Sequence, residues 1–126
     1  DEGRGEVDDA LAVIGAQRDP ALPFALAGFS FGGYVAAVAA DRLRDSARVD
    51  RLLLVAPATA TFDMPPAAAN DTLVIHGDAD DVVPLHATLA WARSQIQPVV
   101  VLPGVGHFFH GQLTQLKTQV VQAWHR

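Results

Sequence analysis

Four short stretches of this 126-residue chain are apolar almost from end to end: 24–29, 51–56, 72–76 and 99–102. A strand that buries one face alternates polar and apolar residues; a strand covered on both faces loses that alternation. Prolines at 23, 57, 98 and 103 punctuate the runs, so they predict buried strands. Between them lie helical patterns. Over 7–18, Val7, Leu11, Ile14 and Arg18 recur three or four apart, as on one face of an amphipathic helix. Asp8 and Asp9 would fall in its first turn, where the helix dipole favours acids, and Asp19-Pro20 would stop it. Residues 32–44 are Ala-rich and read as helix. Another helix is expected from Pro84, at its first position, to about Gln95, and a last one over 112–124. Residues 1–6 are acidic and Gly-bearing and predict a loop, as does 58–71 with Pro65-Pro66. Strands alternating with helices give the α/β class: a mostly parallel sheet flanked by helices, right-handed in its crossovers, in a single domain over 1–126.

Composition narrows the function. Half of the chain is apolar and 18% is charged, which excludes a disordered chain. The net charge is −5 and the cations are scattered, so no nucleic-acid partner is expected. No run approaches the roughly 20 apolar residues of a membrane span. With no cysteine, thiol nucleophiles and thiolate metal sites are excluded, and the compartment is left open; with no visible signal peptide, a cytoplasmic location is the expectation. The chain starts at Asp1 rather than Met, and upstream sequence is expected.

In parallel sheets, sites lie beyond the carboxyl ends of the strands. After the first strand stands Gly28-Phe29-Ser30-Phe31-Gly32-Gly33, a G-x-S-x-G between a strand and a helix. Such a turn lifts the Ser30 hydroxyl out and points the Phe31 N–H at a developing oxyanion. Gly28 and Gly32 are expected where a side chain would clash. Chance alone yields the pattern in roughly one chain in twenty of this length, so its weight comes from context; the plain alternative is a Gly-rich turn with an N-cap serine. After the third strand, His76-Gly77-Asp78-Ala79-Asp80-Asp81 offers three carboxylates. One of them could orient a catalytic histidine, while Asp78 or Asp81 would serve as a cap or turn residue. Part of a calcium loop is the third reading, but the downstream Glu is missing. After the fourth strand comes Gly104-Val105-Gly106-His107, with His110 as competitor. His76 reads as structural, His86 as an exposed helix residue, and His125 lies at the tail.

Nucleophile, acid and base then follow three different strands in the order Ser30, Asp80, His107, the order of one of the three known triad arrangements. At these residues the chain resembles the α/β-hydrolase superfamily, and within it the small lidless bacterial hydrolases related to dienelactone hydrolase. GRGEVDD, GFSFGGYVA, VIHGDADDVVP and PGVGHFFHG carry the likeness, which covers nearly the whole chain. The resemblance implies Ser30 as nucleophile, Asp80 as acid and His107 as base. Dienelactone hydrolases have Cys where this chain has Ser30, so their substrate is not implied. Members of the family have further strands upstream, and a loop there supplies the second oxyanion N–H. Without it one donor is missing, which costs roughly 2.7–4 kcal/mol. The first strand would also be an unpaired edge, which predicts either upstream sequence or a homodimer through that edge.

The expected function is a serine hydrolase, a carboxylesterase for small or short-chain esters working through an acyl-enzyme, with no metal or organic cofactor. Phe29, Phe31, Phe62, Met64, Phe108 and Phe109 are candidates for an apolar acyl pocket, at least half of them as core instead. The 58–71 loop is too short for a cap domain. The alternatives are a non-catalytic binding or scaffold module on the same fold, or an acyl transferase or peptidase with the same three residues.

Overall fold

A computed structural model describes residues 3–46 and 48–124. The elements follow in the order α1 (Arg4–Gln17), β1 (Ala25–Phe29), α2 (Phe31–Arg42), β2 (Arg51–Val55), β3 (Asp71–Gly77), α3 (Leu85–Arg93), β4 (Val100–Leu102) and α4 (Leu113–Trp124). The strands form one parallel sheet in the order β1-β2-β3-β4. Every strand therefore ends on the same side of the molecule.

The apolar runs have the cause the sequence suggests. Successive side chains in a strand point to opposite faces, and in β2 and β3 both faces are covered. Leu52, Leu54 and Val74 pack on one side against Ala36, Ala37 and Ala40 of α2, with Trp91 of α3 at the margin. Val55, Ile75 and Leu102 pack on the other side with Phe109, and with Leu116 and Val120 of α4. Leu52, Leu54, Val74 and Ile75 are fully buried. Alanines on α2 let the helix lie close to the sheet, since a small side chain sets a short interaxial distance.

β1 departs from the expectation of burial on both faces. Ala25, Ala27 and Phe29 are exposed, and only Leu26 and Gly28 are partly covered. Register explains it. Ala27 pairs with Leu53 and so shares the face on which α4 packs, but α4 reaches β3 rather than β1. Among the described residues β1 pairs with β2 alone, so its other edge is free.

Three further expectations are corrected. Residues 1–6 are not all loop: α1 starts at Arg4, because Gly3 takes a left-handed φ of 80° and its carbonyl accepts the Val7 N–H at 2.9 Å. Its first turn carries Glu6, and Asp8 instead joins α1 to α2 through Arg42 at 3.0 Å. Pro84 is the cap of α3 rather than its first residue. No helix of the described residues is long and apolar enough to cross a membrane.

Candidate active site

Three loops leave the carboxyl ends of β1, β3 and β4 on one side of the sheet, with β2 between the first and the other two. The first is the turn from β1 into α2. Ser30 sits at φ 56°, ψ −118°, a conformation that L-residues rarely hold. Its surroundings fix it there: the Ser30 N–H donates to the Val55 carbonyl at 2.9 Å, and its carbonyl accepts from Gly33 and Ala58. Gly28 has no room for a side chain, since a Cβ would meet the Gly32 carbonyl oxygen at 2.1 Å. Gly32 itself does not need to be glycine on steric grounds; a Cβ there meets nothing within 4 Å. The second crowded position is Gly33, whose Cβ would come within 3.1 Å of Pro57. Strand and helix cross at Gly28 and Gly33, while Gly32 faces away, which corrects the expectation for Gly32.

The second and third loops are stitched together. Asp78 N–H donates to the Leu102 carbonyl and Ala79 N–H to the Val105 carbonyl, and Asp78 Oδ1 accepts the Gly104 N–H at 2.6 Å. Gly77 makes the approach feasible, for a Cβ there would lie 2.0 Å from the Val105 oxygen. That requirement was not legible in the sequence, where Gly77 merely stands between the expected strand 72–76 and the three carboxylates.

On this frame Ser30, His107 and Asp80 meet. His107 Nε2 is 3.0 Å from Ser30 Oγ, and His107 Nδ1 is 2.7 Å from Asp80 Oδ2. His107 is 4% exposed and Asp80 7%. An ionised carboxylate only accepts, so Nδ1 carries the proton and Nε2 is left to accept the Ser30 hydroxyl proton. The other carboxylate oxygen, Oδ1, accepts the N–H groups of Val82 and Val83 at 2.9 and 2.7 Å. Asp80 therefore serves as a turn residue and as the partner of His107 at once. Asp78 ties the two loops together and Asp81 is exposed. His110 and His86 are exposed; the ring of His110 lies against Phe108. His125 lies outside the described residues.

His76 is fully buried at the end of β3. Its Nε2 is 2.7 Å from the Val83 carbonyl and 3.3 Å from Asp80 Oδ2.

Aromatic rings flank Ser30 in two groups. Phe29 and Phe108 lie against the His107 ring, each at a centroid distance of 4.9 Å. Phe31 and Phe62 are 5.5 Å apart, and Phe62 stacks on Tyr34 at 4.4 Å. Tyr34 was missed from sequence, although it follows Phe31 by three residues on one helix face. Phe29, Phe31 and Phe108 are exposed. Met64 and Phe109 are not part of this rim: Met64 packs in the core with Ala36 and Leu52, and Phe109 with Ile75 and Leu102. Their apolar side chains are drawn into the two sheet faces. The Phe31 N–H, at the start of α2, makes no hydrogen bond among the described residues.

No family model and no curated protein matches this sequence. Solved structures do. A serine hydrolase without a lid from Xanthomonas campestris is 35% identical, with a TM-score of 0.83 over 100% of this chain and 58% of that one. An α/β serine hydrolase homologue from Coxiella burnetii is 34% identical, with a TM-score of 0.76 over 98% of this chain and 61% of that one. A protein of unknown function from Agrobacterium tumefaciens is 26% identical, with a TM-score of 0.86 over 100% of this chain and 62% of that one. The chain thus spans about three fifths of the length of each. At these identities the likeness extends from the shape of the sheet to the sequence itself, and the chain has the α/β-hydrolase fold.

Proposed function

We propose that the protein is a serine hydrolase, a carboxylesterase acting on small or short-chain esters. The observation that carries this reading is the unbroken series from Ser30 Oγ through His107 to Asp80, with links of 3.0 and 2.7 Å. Neutral His107 takes the hydroxyl proton as Ser30 Oγ attacks the ester carbonyl. Asp80 holds the tautomer and stabilises the imidazolium. The oxyanion receives the free Phe31 N–H, aided by the positive end of α2. His107 then gives its proton to the departing alcohol. Water, deprotonated by His107 in turn, releases the acid and restores Ser30. The exposed rim of Phe29, Phe31 and Phe108 supports a small apolar acyl group held close to solvent. The loop between β2 and β3 contributes Phe62 to that rim and is too short to fold into a cap.

A fluorophosphonate probe tests the assignment, because it reacts only with an activated hydroxyl. Labelling is expected on the peptide that contains Ser30, and is lost in Ser30→Ala and His107→Ala. Asp80→Asn should slow the reaction about 10⁴-fold, and Asp81→Asn far less. A well-folded protein that takes no label, or equal losses at Asp80 and Asp81, would overturn the reading.

A further inference from the structure

His76 is the one fully buried ionisable side chain among the described residues that the proposed chemistry leaves without a task. Its geometry is specific. A carbonyl oxygen only accepts, so the 2.7 Å contact with Val83 O places the ring proton on Nε2. The same nitrogen stands 3.3 Å from Asp80 Oδ2, the oxygen that holds His107. Nδ1 is buried and has no partner among the described residues. That fits the neutral ring, in which Nδ1 is an acceptor left unpaired; an imidazolium would bury a second proton with nothing to receive it.

Val83 and Asp80 are the two ends of one turn. Oδ1 of Asp80 takes the Val83 N–H, and the Val83 carbonyl turns the other way to His76. His76 thus grips the far end of the turn while setting the positive end of an N–H dipole beside the carboxylate. We infer that His76 is a positioning residue for the Asp80–His107 pair: it clasps the Asp80–Val83 turn and shares the negative charge of Oδ2 with His107. The inference rests on the hydrolase reading for its effect on rate, but its contact can be read without any turnover. Among the described residues, His76 of β3 and His107 of the β4–α4 loop are the basic side chains within 4 Å of the Asp80 carboxylate. Asp78 is turned to Gly104 and Asp81 is exposed.

The test compares His76→Gln, whose amide nitrogen reaches the Nε2 position, with His76→Asn, whose amide falls short, and His76→Leu, which has no donor. Circular dichroism checks that each folds. With a p-nitrophenyl ester, His76→Leu should lower kcat about tenfold with KM little changed. His76→Gln should restore kcat, and His76→Asn should not; that pair decides the matter if the leucine variant is unfolded. The low-field proton resonance of His107 Nδ1–H should shift in His76→Leu and return in His76→Gln. Wild-type protein that takes no phosphonate label would sink the hydrolase reading, and the resonance would still decide the contact. Equal losses in all three variants with an unmoved resonance would reduce His76 to packing and overturn the inference. So would a labelled wild type and a leucine variant that share one kcat and one resonance.

Discussion

Replacing Gly77 by alanine adds one methyl group to the end of β3, yet it should disable the site. The added Cβ would lie 2.0 Å from the Val105 carbonyl oxygen and 2.7 Å from its carbon. Real Cβ atoms essentially never approach closer than 3.0 Å, so strand and loop must part by about 1 Å or more. Gly77 is anchored in β3 by its pairing with Leu102, so the loop is the side that yields. It carries His107 two residues on. A shift of about 1 Å takes the 3.0 Å link to Ser30 and the 2.7 Å link to Asp80 out of hydrogen-bond range. Misplacement on that scale costs on the order of 100-fold in rate. The strain of overpacking should cost about 1–3 kcal/mol of stability, a fall in Tm of roughly 4 °C per kcal/mol for a chain of this size. The assay is the rate of phosphonate labelling in folded protein, with Tm from thermal denaturation beside it. A Gly77→Ala variant that labels within threefold of wild type would show that the loop does not depend on that contact to place His107, and the reasoning would be wrong.

The other glycines give a paired prediction. Gly28→Ala should destroy labelling, because backbone at 2.1 Å cannot give way cheaply, whereas Gly32→Ala should label normally and stabilise α2 by about 0.5–1 kcal/mol; denaturant melts of both variants check this, and similar damage at both sites would refute it. Pairing of two copies through the free edge of β1 predicts a dimer in light scattering, reduced to 13.4 kDa by Ala27→Lys, since lysine on an edge strand opposes such pairing. A wild-type mass of 13.4 kDa would exclude it.

What the sequence revealed, and what it hid, follows from the kind of information each feature needs. β2 and β3 are legible because double coverage leaves an unbroken apolar run, and Leu52, Leu54, Val74 and Ile75 occupy it at full burial. β1 looks the same in sequence, but Ala25 and Ala27 are too small to reveal which face they lie on, and that face is exposed. The start of α1 was hidden by its acidic, Gly-bearing composition, although a left-handed Gly3 begins a helix there. Met64 was indistinguishable from the exposed aromatics as a pocket candidate, since hydrophobicity alone does not say whether a side chain faces a core or a rim.

The site shows the same division at finer scale. Residue type and order bring Ser30, Asp80 and His107 to attention, because a hydroxyl, a carboxylate and an imidazole are chemically distinctive. The devices that hold them are not distinctive at all. Gly77, Gly33 and the Val83 carbonyl are a bare Cα–H, another, and a peptide group, and each matters through the space or the direction it leaves to a neighbour. Asp80 stands between the two kinds. One of its oxygens closes a turn that any aspartate could close, and the other meets His107. In the proposed chemistry the turn therefore takes part: an acid whose Oδ1 is committed to two backbone N–H groups cannot rotate away, and its remaining oxygen would be presented to the imidazole without further loss of side-chain freedom when a substrate arrives.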